Sequence, residues 1–229
     1  MRLEDLNWMD VERYLEQDDR IILITGSTEQ HAYLSLLTDI LIPSKIALVA
    51  AEREKVLVAP PFNFGNSRFF ADYPGTISLT RPTFDLVLIE VFESLLHQGF
   101  RRFFFLNGHG GNQLPAQLAI FLDDDEVQVQ WYDWWRSEAV RVFEAHRGLK
   151  LNHANWGENF IFNRVTESPA GVKPNVNFYD TDRTQPVSRD QLGDGSFGGA
   201  YQVSDDLMNE LFSLVVDEVV RLLRWPSAG

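Results

Sequence analysis

Arg102-Phe103-Phe104-Phe105-Leu106 runs directly into Asn107-Gly108-His109-Gly110-Gly111-Asn112. A short, wholly apolar, β-prone run of this kind predicts a strand buried on both faces, as in a parallel sheet. The glycine-rich stretch that follows is then the loop at the strand's carboxyl end. Working outward, Pro82 sits in the first turn after Thr80, and Phe84, Leu88, Val91, Phe92 and Leu95 recur at three- and four-residue steps up to Gly99. That pattern predicts a helix leading into the strand. Arg20-Ile21-Ile22-Leu23-Ile24-Thr25, ending at Gly26, predicts a second buried strand. Apolar positions from Ile40 to Val49 suggest a helix, and Val56 to Ala59 a short strand stopped by Pro60-Pro61. Downstream, a helix is expected over about Gln113 to Leu122 and a strand from Glu126 to Trp131. Long loops are expected from Asn163 to Gly199, and Ser204 caps a last helix carrying Leu207, Leu211, Leu214, Val215 and Val219. Alternating strands and helices define an α/β fold with a mainly parallel sheet covered on both faces.

The chain has 229 residues, enough for one core, so a single domain over 1–229 is expected. A net charge of −13 repels a polyanion and argues against nucleic acid as a partner. No apolar run approaches the roughly 20 residues a membrane span requires, and the mixed charge of Met1 to Asp5, with no apolar stretch behind it, leads us to expect no secretory signal. The absence of cysteine removes thiolate catalysis and cysteine-ligated zinc, and fits a cytoplasmic protein.

Two polar motifs follow predicted strands, where ligands gather in open α/β sheets. Gly26-Ser27-Thr28-Glu29-Gln30-His31, with Thr38-Asp39 beyond it, offers carboxylate oxygen beside imidazole nitrogen, a set that suits zinc, manganese or iron. Glu29 and His31 are two apart, so in an extended loop they point the same way. By itself a Glu-x-His pair arises often in exposed loops. In the second motif the glycines around His109 leave the loop free to take positive φ and let backbone approach a ligand, which makes Gly110 and Gly111 candidate substrate contacts. His97, near a helix end, and His146, among Glu144, Ala145 and Arg147, fit surface roles. Trp131, Tyr132, Trp134 and Trp135 form an aromatic cluster suited to core, interface or pocket wall.

Gly-Ser-Thr-Glu-Gln-His, the later Thr-Asp, Tyr73-Pro74-Gly75-Thr76 and Asn-Gly-His-Gly-Gly-Asn together resemble the signatures of the creatininase (creatinine amidohydrolase) family, in order and spacing from about residue 20 to 160. The resemblance implies a three-layer α/β/α sandwich, a homohexamer, and two divalent metals (Zn, Mn or Fe) per subunit. It implies that Glu29 and His109 hold one metal, His31 the second, and that Asp39 bridges both. His153 and Glu158 match a later family histidine and a glutamate five residues on, which assigns Glu158 to the second metal and His153 to proton transfer. Trp156, between them, is a candidate substrate contact. The activity implied is hydrolysis of a C–N bond in a small amide, cyclic amide or formamide by a metal-activated water.

Departures from the family pattern are local. Ala32-Tyr33-Leu34 replaces a Gly-Pro-His segment, and the residues flanking His153 and Glu158 differ. Creatinine-hydrolysing members resemble Asn-Gly-His-Tyr-Glu-Asn at the second motif, whereas Gly110 and Gly111 stand here. Glycine cannot transfer a proton, which weighs against creatinine as the substrate. Two rivals stay open: a catalytically silent metal-binding scaffold or regulator, and a metal-free protein that binds a small metabolite. A serine hydrolase fits poorly, because no Gly-x-Ser-x-Gly elbow is present.

Overall fold

The computed structural model describes residues 1–122, 124–178, 182 and 184–225. Four parallel strands, β1 (Arg20–Thr25), β2 (Leu57–Val58), β3 (Arg102–Asn107) and β4 (Gln128–Asp133), form one sheet in the order β2-β1-β3-β4. The helices are α1 (Trp8–Leu15), α2 (Thr38–Glu54), α3 (Arg81–Gln98), α4 (Glu138–Arg147), the single turn α5 (Arg189–Leu192) and α6 (Asp205–Leu223). A small antiparallel pair joins β5 (Val172–Lys173) to β6 (Gly199–Ala200). No helix among the described residues is long and apolar enough to cross a membrane.

Strand alternation sends the side chains of β1 and β3 into two cores, one on each side of the sheet. Ile22, Ile24, Phe104 and Leu106 pack with Ile42 and Ile46 of α2, Val140 and Phe143 of α4, and Leu211, Val215 and Val219 of α6. Ile21, Leu23, Phe103 and Phe105 pack with Phe84, Leu88 and Phe92 of α3 and with Tyr14 of α1. The result is an α/β/α sandwich. Each fully buried phenylalanine of β3 contributes on the order of 1.5–3 kcal/mol relative to an exposed position.

The chain leaves β1 for β2 on one side and later crosses back to lay β3 on the other. Thr25 pairs with Asn107, so the loops after β1 and β3 leave the sheet side by side where the strand order reverses. A crevice opens at such a point.

Local chemistry explains where the structure departs from expectation. The segment expected to be a helix over Gln113–Leu122 is a short 3-10 helix at Ala116–Phe121, because Pro115 is itself extended (φ −55°, ψ 137°) and disfavours helical backbone at the residue before it. β4 begins two residues later than expected, since the Asp124 carboxylate accepts the backbone N–H groups of Glu126 and Val127 in a turn. α2 is longer than its apolar core and continues through Pro43. In α6, Leu214 is 40% exposed, and Met208, Val216 and Val220 take buried positions instead. α1 was not anticipated, although Asn7 and Asp10 form a reciprocal capping box at its start. The expected loop region from 163 to 199 contains α5 and β5, and its residues 179–181 and 183 lie outside the described residues.

Candidate metal centre

Asp39 stands in the first turn of α2, where the helix N-terminus favours negative charge. Its backbone is wedged between the ends of β1 and β3. A Cβ on Gly26 would lie 2.3 Å from the Asp39 carbonyl oxygen, and one on Gly108 only 1.9 Å from it. Only glycine permits this approach. The expected positive φ is not the reason, since neither Gly108, Gly110 nor Gly111 adopts it. Gly111 is also packed closely, against the Asn66 carbonyl and the His109 ring, whereas Gly110 faces open space with no described atom within 4 Å of a Cβ.

Around Asp39 the loops deliver four further buried donors. Oxygen and nitrogen atoms of Glu29, Asp39 and His109 lie within 4.8 Å of one another, and so do those of His31, Asp39 and Glu158. Asp39 belongs to both groups. Its Oδ2 is 2.9 Å from His109 Nδ1, and its Oδ1 is 3.0 Å from His31 Nε2. Glu29 Oε2 approaches His109 Nδ1 at 3.3 Å, and Glu158 Oε2 approaches His31 Nε2 at 3.8 Å.

The far side of each imidazole fixes which nitrogen faces the centre. His109 Nε2 lies 2.9 Å from the Asn66 carbonyl oxygen, which only an N–H can satisfy, so Nδ1 is free to face the carboxylates. His31 Nδ1 is 3.2 Å from the Glu29 carbonyl oxygen, leaving Nε2 inward. Backbone partners of this kind orient metal-ligating histidines.

Two of the inward atoms, Glu29 Oε2 and His31 Nε2, are buried without any hydrogen bond of acceptable geometry. A buried carboxylate oxygen and a buried imidazole nitrogen that lack hydrogen-bond partners, each within a cluster of further donors, are lone pairs that bound cations would satisfy. The donor set of three carboxylates and two imidazoles matches zinc, manganese or iron.

The electrostatics follow from the same crowding. Burial lowers the His31 imidazolium, but Asp39, with Glu158 and Glu29 behind it, carries its pKa up to about 10. His109 is raised in the same way, against burial, by Glu29 and Asp39. Burial opposes the Asp39 carboxylate, yet His31 and His109 hold it well below the usual range. Glu158, with less compensation, is pushed up by burial to about 7.

His153 lies beside this cluster, its ring 4.4 Å from that of His31 and its Nδ1 3.8 Å from Glu29 Oε1. Phe70 stacks on it at 4.5 Å and Phe197 packs at 4.8 Å. Burial and the neighbouring His31 keep it well below the ordinary histidine range. Trp156 is corrected by the structure. It is 1% exposed in the core, with its indole N–H bonded to the Lys150 carbonyl, and it anchors the 3-10 turn that carries Glu158 rather than lining the cleft. Of the aromatic cluster, Trp135 reaches the wall and Trp134 is buried. His97 and His146 are exposed on helix surfaces.

The cleft over the cluster has a volume of about 440 Å³ and is bordered by Gly110, Gly111, His153, Phe70, Phe197 and Trp135. Sequence reasoning missed Ser67, Phe70 and Phe197, which come from segments without a motif. It also left Asn107 and Asn112 without a role. The Asn107 side chain donates to the His109 carbonyl and to Asp133, while its oxygen accepts from Thr25 and from the His109 N–H. Asn112 donates to the Gly26 carbonyl, tying the second loop to the first.

Comparison with known proteins agrees with this architecture. A mycofactocin precursor peptide peptidase of Mycolicibacterium smegmatis is 35% identical over 109 residues, 44% of this chain and 44% of its own length. A creatinine amidohydrolase of Pseudomonas putida is 28% identical over 209 residues, covering 78% of this chain and 80% of its own. By their names both are hydrolases. A solved manganese creatininase superposes with a TM-score of 0.74 at 20% identity, covering 97% of each chain, which establishes a shared fold. The profile of the creatininase family, described as creatinine amidohydrolase, matches residues 4–223. The chain belongs to the creatininase family.

Proposed function

We propose that this protein is a metal-dependent hydrolase that breaks a C–N bond in a small amide, cyclic amide or formamide. The observation that carries the proposal is the convergence of five buried donors into two groups that share Asp39, with Glu29 Oε2 and His31 Nε2 left unsatisfied. In this reading Glu29 and His109 hold one divalent cation, His31 and Glu158 a second, and Asp39 serves both. Such cations, when bound, supply acidification of a water and polarisation of a carbonyl oxygen.

The chain's own residues set the rest. Phe70, Phe197 and Trp135 give the cleft apolar walls that exclude water from the reacting bond. Gly110 and Gly111 leave backbone at the floor for the substrate to approach. Among the described residues lining the cleft, the only carboxylates are Glu29, Asp39 and Glu158, all assigned to cations. None is left for proton transfer at the second motif, which favours an amide other than creatinine. His153, whose Nδ1 lies 3.8 Å from Glu29 Oε1 at the edge of the cleft, can serve the leaving nitrogen. A peptide bond falls in the same chemical class, and a peptidase is among the relatives. The reading includes a cytoplasmic location and homohexameric assembly, supported by the cysteine-free composition and by family membership.

The test is a panel of amides, formamides and short peptides assayed with zinc, manganese and iron, alongside Asp39→Ala. The variant is expected to lose both cations, by elemental analysis, together with all turnover. Full metal content in Asp39→Ala would refute the assignment.

A further inference from the structure

We propose that Gln30 is a positioning residue that fixes the tautomer of His153, keeping its proton on Nδ1, so that His153 faces the cleft as a hydrogen-bond donor and not as a metal ligand or a base. Gln30 lies between two candidate ligands, Glu29 and His31, but its own side chain points elsewhere. Its amide Nε2 is 2.9 Å from His153 Nε2 and 3.0 Å from the Gly195 carbonyl oxygen, and its Oε1 accepts the Ala32 N–H at 3.1 Å.

These three contacts leave one consistent arrangement. The Gly195 carbonyl can only accept and the Ala32 N–H can only donate, so the amide cannot be turned over without facing oxygen to oxygen and donor to donor. Its nitrogen therefore points at His153, and both of its hydrogens are in use. His153 Nε2 must then accept, and in a neutral imidazole the proton resides on the other nitrogen. That nitrogen, Nδ1, is on the side of Glu29 and the metal centre. A protonated Nδ1 cannot coordinate a cation. Although Glu29, His31 and His153 have donors close enough to form a third metal group, this tautomer removes His153 from it.

The surroundings hold the arrangement in place. Phe70 stacks on the His153 ring and Phe197 packs against it at a tilt, and together they oppose its rotation. Gly195 has φ +100°, and a Cβ there would fall 1.8 Å from Gln30 Oε1, so the glycine makes room for the amide. The Gln30 backbone N–H is itself bonded to Thr76 Oγ1. That Nδ1–H serves the substrate's oxygen or leaving nitrogen rests on the hydrolase reading; the tautomer does not.

Long-range proton–nitrogen correlation spectra of protein with nitrogen-15 histidine, loaded with diamagnetic zinc, test this directly. His153 is assigned by the loss of its signals in His153→Gln. The expected native pattern is an unprotonated Nε2 and a protonated Nδ1. Gln30→Met, which removes both donors at similar volume, is expected to abolish the pattern, and Gln30→Glu to reverse it by accepting an Nε2 proton. Gly195→Ala, which crowds the amide and also strains the backbone at φ +100°, should weaken it. Zinc content is expected to be retained in these variants, while kcat falls by about 10²-fold, the loss typical of one well-placed donor. A native His153 protonated on Nε2, protonated on both nitrogens, or bound to zinc through Nδ1 would overturn the proposal, as would a native pattern that persists in both Gln30 variants. If the protein takes up no zinc, the hydrolase reading fails, yet the metal-free spectra still decide the tautomer.

Discussion

Gly108→Ala is the smallest change that tests how the centre is built. The glycine does not have positive φ, so alanine meets no backbone penalty there, and its whole cost is steric. The added Cβ would fall 1.9 Å from the Asp39 carbonyl oxygen and 2.8 Å from Pro43 Cγ, neither of which is the tip of a flexible side chain. Ordinary contact begins near 3.4 Å, so the end of β3 and the first turn of α2 must part by about 1.5 Å. Asp39 and His109, now 2.9 Å apart, ride on those two elements. Metal–ligand distances tolerate only about 0.2 Å. The variant should therefore lose zinc affinity by at least about 10- to 100-fold, the scale seen when ligand orientation is disturbed. Overpacking should also lower the unfolding free energy of the metal-free protein by about 1–3 kcal/mol. Gly110→Ala is the matched control, because no described atom lies within 4 Å of its Cβ, and it should stay within about 0.5 kcal/mol of the native chain. Urea denaturation and zinc competition against a chromophoric chelator measure both quantities. Native zinc affinity in Gly108→Ala, or equal damage in Gly110→Ala, would show that the close approach to Asp39 is not what assembles the site.

Zinc added to metal-free protein at pH 7 should release protons, because His31 (raised to about 10) and His109 (also raised) must give theirs up to coordinate; a pH indicator in weak buffer reads this, and the absence of release contradicts it. By the same sign, apparent zinc affinity should rise with pH from neutrality towards 10, and a flat or falling profile would count against the ligand set. Arg20 ties the start of β1 to the ends of two helices, donating to the Leu223 and Glu54 carbonyls while paired with Asp18. Arg20→Ala should lower stability by about 1.5–3 kcal/mol in urea titrations without altering zinc affinity, and an unchanged midpoint would show these contacts to be solvent-equivalent.

Much of this architecture was legible in the sequence wherever the deciding physics is local. The bounds of α3 follow from Thr80, Pro82 and Gly99, each acting within a turn, and the structure places the helix between the predicted caps. β1 and β3 were evident because each is a short run rich in isoleucine or phenylalanine that stops at a glycine, too short for a buried helix. The helix expected after Gln113 failed because one proline outweighed an apolar pattern. At the centre, the candidate ligand residues were visible as types, but the reason for the glycines was not. Gly108 and Gly26 answer to the carbonyl of Asp39, distant from Gly108 in sequence, and no local rule announces that contact. Trp156 shows the converse. Its place between His153 and Glu158 suggested a pocket wall, whereas a large apolar ring beside a buried glutamate serves better as the anchor of its turn.

The charge balance explains how such a centre can fold before any cation arrives. Three carboxylates in a dry cleft would repel one another and resist burial. In the metal-free chain His31 and His109 carry protons held by Asp39 and Glu29, while Glu158, pushed up to about 7, sheds part of its charge near neutrality. The two imidazoliums then offset the carboxylates buried around them. Cations bound there would replace those protons rather than complete an unfinished fold, because four of the five candidate donors are already held by protein contacts: Asp39 by two glycines, His109 by Asn66, His31 by the Glu29 carbonyl, and Glu158 by the buried Trp156 turn. The apolar layers on either side of β1 and β3 are independent of the centre. They carry the stability that lets an electrostatically strained site stay assembled while it exchanges protons for metal.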